Sequence, residues 1–370
     1  MPTSARMLMR EYQPVPWLAN HRAKDWRCRP PTSDALAFHR ELDGYVPTPL
    51  VDLPTVATRL GVGRVLAKDE SPRLGLGAFK GLGASWAVHL AVADAGASNP
   101  LTVIAATDGN HGRAVARFAR LLGHRASIYI PRGVHPTAAQ NISDEGADLI
   151  RIDGSYDDAV AAAQLAARAP GTVLVQDTAW EGYEDIPAAI IDAYDTLFRE
   201  IDDQLDDIGS HGPDLVVVPT GVGSLLHAAI THYRCDPARS NTAVVSVEPE
   251  AAACVQASLA AGVPVTLDTG TTIMSGLNCG TPSATAWPFI ESGLDAATAV
   301  NDTESIAAAH ALAKHSVDAG PCGAATLAAL EHILTGPTTA SRRRHLDLGP
   351  ESIVVLLVTE GSESNPLPVA

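Results

Sequence analysis

Continuous runs of β-branched and aliphatic residues alternate along this chain with stretches of helical character. Val65-Leu66-Ala67 and the runs at 102–106, 126–130, 149–152, 172–176, 215–218, 243–247 and 353–358 read as strands. Between them, helices are expected at 84–95, 112–122, 137–145, 156–168 and 186–205, with another from Ser224. Gly123 stops one helix, and Pro131 with Gly133 closes one strand. Strands that are apolar without alternation are buried on both faces, which marks parallel sheet. The pattern therefore predicts a doubly wound α/β architecture: two lobes with a cleft between them, built on open, twisted, mostly parallel sheets with helices on both faces.

Residues up to about 45 are mixed and proline-containing and read as an arm packed on the body. Val46-Pro47-Thr48-Pro49-Leu50 is a rigid extended turn. An acidic stretch at 202–207 runs into a polar break, Gly209-Ser210-His211-Gly212-Pro213, which marks a boundary between lobes. On this reading 1–83 and 200–370 form the large domain and 84–199 a smaller inserted α/β domain. No internal repeat or low-complexity segment stands out.

With 370 residues, 46% hydrophobic and 18% charged, the chain has material for two domains and an ample core. A net charge of -16 argues against nucleic acid or an anionic membrane as partner. No apolar run approaches the ~20 residues of a membrane span, and the first residues lack the apolar core of a signal peptide. The five cysteines are odd in number, sparse and not in C-x-x-C pairs, which fits a reducing cytoplasm and argues against a zinc cluster. No metal site is expected.

The chemistry starts with lysine, because the chain has only four: Lys24, Lys68, Lys80 and Lys314. Lys80 ends a glycine-rich turn and stands where a helix begins. The electropositive helix start disfavours an ammonium there, and a neutral amine can form a Schiff base with a carbonyl. A solvated surface lysine is the plain alternative.

Four further clusters follow strands, where open α/β sheets bind ligands. Thr107-Asp108-Gly109-Asn110-His111-Gly112 offers two glycines for close backbone approach, or else a helix start capped by Asn110. His111 reads as a structural or rim histidine. Gln176-Asp177-Thr178-Ala179-Trp180-Glu181-Gly182-Tyr183 offers Asp177 as a general base with a raised pKa, or as an Asx-turn residue. Pro219-Thr220-Gly221-Val222-Gly223-Ser224 suits an anion held by backbone amides, without the lysine of a Walker loop, or is a tight turn. Thr359-Glu360-Gly361 places a hydroxyl that could face a ring nitrogen, or simply ends a strand. A carbonyl-trapping lysine, a phosphate cup, an asparagine for a ring hydroxyl and a hydroxyl for a ring nitrogen together suit pyridoxal 5′-phosphate.

Several of these runs, in order, resemble 2,3-diaminopropionate ammonia-lyase: Lys68-Asp69-Glu70-Ser71 with Ala78-Phe79-Lys80, Ala106 through Gly112, and Val175 through Tyr183. Gly221-Val222-Gly223, Thr272-Ile273-Met274-Ser275-Gly276-Leu277 and Thr359-Glu360-Gly361 agree. The resemblance covers about 48–361. It implies the tryptophan-synthase-β-like fold (fold type II), a large pyridoxal-phosphate-binding domain and a homodimer. It makes Lys80 the Schiff-base lysine, with Phe79, Asn110, Gly221, Val222, Gly223, Ser224 and Thr359 as further cofactor-binding residues. Asn110 would meet the ring hydroxyl and Thr359 the pyridine nitrogen. Asp108 and Asp177 become acid/base carboxylates, and with Thr107 and His111 they form the substrate-binding set. The serine and threonine dehydratases of this fold carry serine where Asp108 stands.

There are departures. Gly77 stands where the family commonly has asparagine, Gly83-Ala84 replaces a double glycine, and Gly320-Pro321-Cys322-Gly323 replaces a run with glutamate and serine. The expected function is elimination of ammonia from 2,3-diaminopropionate, giving pyruvate and ammonia in the cytoplasm. The alternatives are a serine or threonine dehydratase, a β-replacement enzyme, or a non-catalytic amino-acid-binding regulator on the same fold.

Overall fold

The computed structural model describes residues 12–96, 99–107, 109–210 and 212–368. Asp108, the start of the N-terminal arm and His211 of the polar break lie outside the described residues.

Eleven strands are formed among the described residues. They are β1 (Leu18–Ala19), β2 (Leu50–Asp52), β3 (Arg64–Asp69), β4 (Thr102–Ala106), β5 (Arg125–Ile130), β6 (Asp148–Arg151), β7 (Thr172–Leu174), β8 (Leu215–Pro219), β9 (Ala243–Pro249), β10 (Ala296–Val300) and β11 (Ile353–Val358). The chain divides into two compact units. Unit 1 comprises the described residues of Met1–Thr32, Pro47–Ser71 and Leu197–Ala370; unit 2 comprises those of Ser33–Val46 and Pro72–Thr196. Residues 33–46 and 72–83, read from the sequence with the large domain, cluster with unit 2. The polar break at 209–213 lies inside unit 1, ahead of β8.

Unit 1 holds a seven-stranded sheet in the order β1-β10-β9-β8-β11-β3-β2. Its interior pairings are parallel, while the short edge strands β1 and β2 pair antiparallel. The parallel strands are apolar on both faces: Val216, Val217, Val355 and Leu356 all have no exposed surface. The helix Pro321–Leu334 is buried on nearly every side, so it reads as an alanine- and leucine-rich segment without an amphipathic stripe. The register β3–β11 runs from Arg64↔Ile353 to Asp69↔Val358, which sets Thr359 at the strand end next to Glu70.

Unit 2 holds a four-stranded parallel sheet, β6-β5-β4-β7. Pairing of β4 with β7 ends at Ile104↔Leu174, so the turns after these two strands leave the sheet side by side.

One expected element is divided. The single helix read at 186–205 is two, Asp185–Ala193 and Asp195–Asp206, separated at Tyr194. There the backbone tightens, with the Tyr194 amide donating to Ile191 O three residues back. No glycine or proline announces this, and the apolar periodicity continues across it. The strand Ala296–Val300 escaped the sequence reading because Ala-Ala-Thr-Ala-Val lacks a β-branched run.

Candidate active site

In unit 2 the turn before Lys80 is built from positive-φ residues: Leu74 (φ 52), Gly75 (φ 66) and Gly77 (φ 77). Position 77 needs the left-handed region, which glycine enters freely and asparagine tolerates, so that departure keeps the backbone. Lys80 is the first residue of the helix Lys80–Ala95. Its Nζ donates to Oδ2 of Asp177 at 2.7 Å and lies 5.6 Å from the centre of the Phe79 ring. Phe79 packs in turn on Tyr194, ring centres 4.8 Å apart.

A glycine one turn further on makes room for this. A Cβ at Gly83 would stand 2.7 Å from Ile190 Cγ2 and 2.8 Å from Tyr194 Cε1. Tyr194 is fully buried, and burial pushes its phenol up to about 12. Sequence reading missed Tyr194, which carries no motif; the small residue at 83 was the only trace of it.

Asp177 follows β7 and is mostly buried. Its carboxyl is held below the ordinary carboxylate range, a correction to the raised value expected from sequence. Burial opposes the charge, but Lys80 and His111, together with the Lys80 hydrogen bond, outweigh it. His111 is buried rather than at a rim. Its Nε2–H donates to Val175 O at 2.8 Å, leaving Nδ1 4.0 Å from Asp177 Oδ2. Burial, with the Lys80 charge, lowers its pKa against the opposing pull of Asp177.

Thr107 shapes the turn after β4. Its Oγ1 accepts from Gly109 N at 3.0 Å and Gly112 N at 3.1 Å. A Cβ at Gly112 would come within 2.2 Å of Thr107 Cγ2, which explains that glycine. The N-cap of the helix Asn110–Leu121 is Gly109, not Asn110, so the capping alternative for Asn110 falls away.

Lys68, the other lysine of this stretch, belongs to unit 1 and is committed. It is fully buried, donating to Glu200 Oε2 at 2.7 Å, Thr48 O at 2.8 Å and Gln204 Oε1 at 2.9 Å. All three ammonium hydrogens are used.

Also in unit 1, Gly223 (φ 101) caps the helix Ser224–Cys235 without a side-chain hydrogen bond. A Cβ at Gly221 would meet Cys279 Sγ and Gly276 O at 3.0 Å, and one at Gly223 would meet Ile290 Cδ1 at 2.8 Å. The Val222 carbonyl is anchored by Ser283 N at 2.8 Å. Thr359 is buried after β11, where Gly323 lets the helix Pro321–Leu334 approach; a Cβ there would be 2.8 Å from Thr359 N. At the glutamate-less position 320 a Cβ would stand 3.0 Å from Glu360 Cγ. A carboxylate is thus buried against this turn from the β11 side, Glu360 accepting from Asn365 Nδ2 at 2.9 Å.

Residues 41–360 match the family described as pyridoxal-phosphate dependent enzyme. The chain belongs to that family. Among curated relatives, it is 35% identical to the diaminopropionate ammonia-lyase of Salmonella typhimurium over 360 residues, covering 90% of this chain and 89% of the relative. The Escherichia coli K12 enzyme of that name is 33% identical over 348 residues, covering 88% and 87%. The Escherichia coli diaminopropionate ammonia lyase crystallised with an aminoacrylate–pyridoxal phosphate azomethine intermediate superimposes with a TM-score of 0.86 at 31% identity, covering 95% of each chain. Maize serine racemase, at 23% identity and a TM-score of 0.73, shares the fold. This is a fold type II pyridoxal-phosphate enzyme.

The residues present fit the family's cofactor. The amides at the start of the helix Ser224–Cys235 have no side-chain cap, and the two glycines before it leave a cradle that side chains would fill. An anion such as the cofactor phosphate suits that cradle, and Lys80 provides the amine a pyridoxal aldehyde requires.

Proposed function

We infer that this chain eliminates ammonia from 2,3-diaminopropionate, giving pyruvate and ammonia. The observation that carries the reading is the Lys80–Asp177 pair, 2.7 Å apart, in a chain similar along nine-tenths of its length to diaminopropionate ammonia-lyases. Pyridoxal phosphate, when bound, supplies an electron sink for the carbanion formed on loss of the α-proton.

The chain's own groups do the rest. Lys80 would hold the cofactor covalently beside Phe79, the amides of Gly221, Val222, Gly223 and Ser224 would take its phosphate, Asn110 its ring hydroxyl and Thr359 its ring nitrogen. Oδ2 of Asp177 is the oxygen facing Lys80, and it would take or return a proton at the substrate. Asp108, on the strength of the family resemblance, would serve as the second carboxylate. Thr107 and His111 complete the substrate side. His111 is oriented by Val175 O, which turns its Nδ1 toward Asp177. In the overall elimination the α-proton goes to a base, the bond from the β-carbon to nitrogen breaks, and the amine departs with a proton.

The same reading makes the protein a cytoplasmic homodimer acting on a small amino acid. No helix among the described residues is long and apolar enough to cross a membrane. Light scattering of the purified protein tests the dimer. The activity is tested by incubating the cofactor-loaded protein with D- and L-2,3-diaminopropionate, serine and threonine. Pyruvate with two equivalents of ammonia from diaminopropionate is expected; turnover of serine or threonine with none of diaminopropionate would overturn the reading.

A further inference from the structure

We propose that Gln176 is a positioning residue that selects which oxygen of Asp177 works and ties the Asp177 turn to the end of β4. The inference rests on Asp177 acting as an acid/base.

Gln176 has no exposed surface, and both ends of its side-chain amide are engaged. Its Oε1 accepts from Ala106 N, the last residue of β4, at 2.9 Å. Its Nε2 donates to the Tyr156 hydroxyl at 2.9 Å and to Asp177 Oδ1 at 3.3 Å. One acceptor and two donors thus meet three partners on three elements. The orientation is fixed by chemistry: a flipped amide would set NH₂ against the Ala106 N–H and oxygen against the Asp177 carboxylate. The backbone is pinned as well. The Tyr183 hydroxyl accepts from Gln176 N at 2.9 Å and donates to Leu174 O at 3.0 Å.

Asp177 Oδ1 is therefore occupied from behind, and Oδ2 is the oxygen presented to Lys80 at 2.7 Å, with His111 Nδ1 at 4.0 Å. The titratable groups that act on Asp177 are Lys80, His111, Tyr183 and Tyr194. Lys80 and His111 face Oδ2, and the Gln176 amide is the side-chain donor that meets Oδ1. Ala106 ends β4, so the same amide anchors that strand end.

Gln176→Glu tests the idea, because it keeps an acceptor for Ala106 N but turns a like charge on Oδ1. Tyr156→Phe, which removes only one partner of Nε2, is the milder variant should the first fail to fold. In the purified protein, the Asp177 carboxyl is followed by ¹³C NMR titration and assigned by its absence in Asp177→Asn. Steady-state kcat/KM is measured against pH on both enantiomers. Gln176→Glu should move the Asp177 titration up by ~1 unit or more. It should cost ~10–10²-fold in kcat/KM on one enantiomer, with the acid limb displaced the same way. Tyr156→Phe should move both readouts less, in the same sense. An unmoved Asp177 titration, with equal losses on both enantiomers, would overturn the proposal and leave Gln176 a structural residue. If Asp177→Asn itself proves fully active, the acid/base reading fails, and the titration still decides whether Gln176 controls the Asp177 charge.

Discussion

Lys80 Nζ and Asp177 Oδ2 meet at 2.7 Å across 97 positions of sequence, and the carboxyl lies in a site where burial alone would favour its neutral form. The lysine is what keeps it charged.

That relationship fixes a pH dependence. The folded pKa of Asp177 lies below its unfolded value, so its contribution to stability is present above the ordinary carboxylate range and is lost as pH falls through that range toward the folded value. Lys80→Ala removes the dominant opposing charge, and burial then drives the carboxyl upward. A double-mutant cycle of Lys80→Ala and Asp177→Asn, followed by chemical unfolding at neutral and acid pH, reads this. At neutral pH Asp177→Asn should restore part of the stability that Lys80→Ala removes; at acid pH the coupling should shrink. Additivity at both pH values would show that the pair is not coupled.

The two lysines of the Lys80 stretch should behave oppositely. Borohydride reduction of the cofactor-loaded protein and peptide mapping should place the label on Lys80. Lys68→Met should leave attachment intact but cost ~3–5 kcal/mol, because the buried Glu200 carboxylate would lose the ammonium that neutralises it. Label on Lys68 would contradict the assignment.

Gly223 holds φ 101 against Ile290, so it carries both a backbone and a steric constraint. Gly223→Val should lower stability by ~1–3 kcal/mol and weaken cofactor binding more than Gly223→Ala does. Thermal melts with and without pyridoxal phosphate measure both effects. Equal cofactor retention in wild type and Gly223→Val would count against the phosphate assignment.

The two aspartates should divide the enantiomers. An α-proton leaves along a bond perpendicular to the cofactor plane, and D- and L-diaminopropionate present it to opposite sides. Asp108→Asn is expected to cost ~10²–10⁴-fold in kcat/KM on the D-enantiomer, and Asp177→Asn as much on the L-enantiomer. Uniform losses in both variants would point to Lys80 as the shared base.

Much of the fold was legible in the chain because a parallel strand buried on both faces must be continuously apolar. The runs at 102–106 and 353–358 coincide with β4 and β11 for that reason. The glycine-rich turns were legible too, since positive φ and close approach leave a residue-type signature at Gly77, Gly112 and Gly223. What sequence could not carry were properties created by contact between distant residues. The ionisation of Asp177 depends on Lys80, and its sign was misread while the pairing was unknown. Tyr194 interrupts a helix without any breaker residue, and its ring fits only because Gly83 has no side chain. Gln176 looked like one more polar residue in a turn; only the register of β4 against β7 brings Ala106 within reach of its amide and gives that side chain its three partners. Local residue types determined where backbone could turn and where chain could be buried, whereas charge state and side-chain orientation were decided by neighbours that only tertiary pairing supplies.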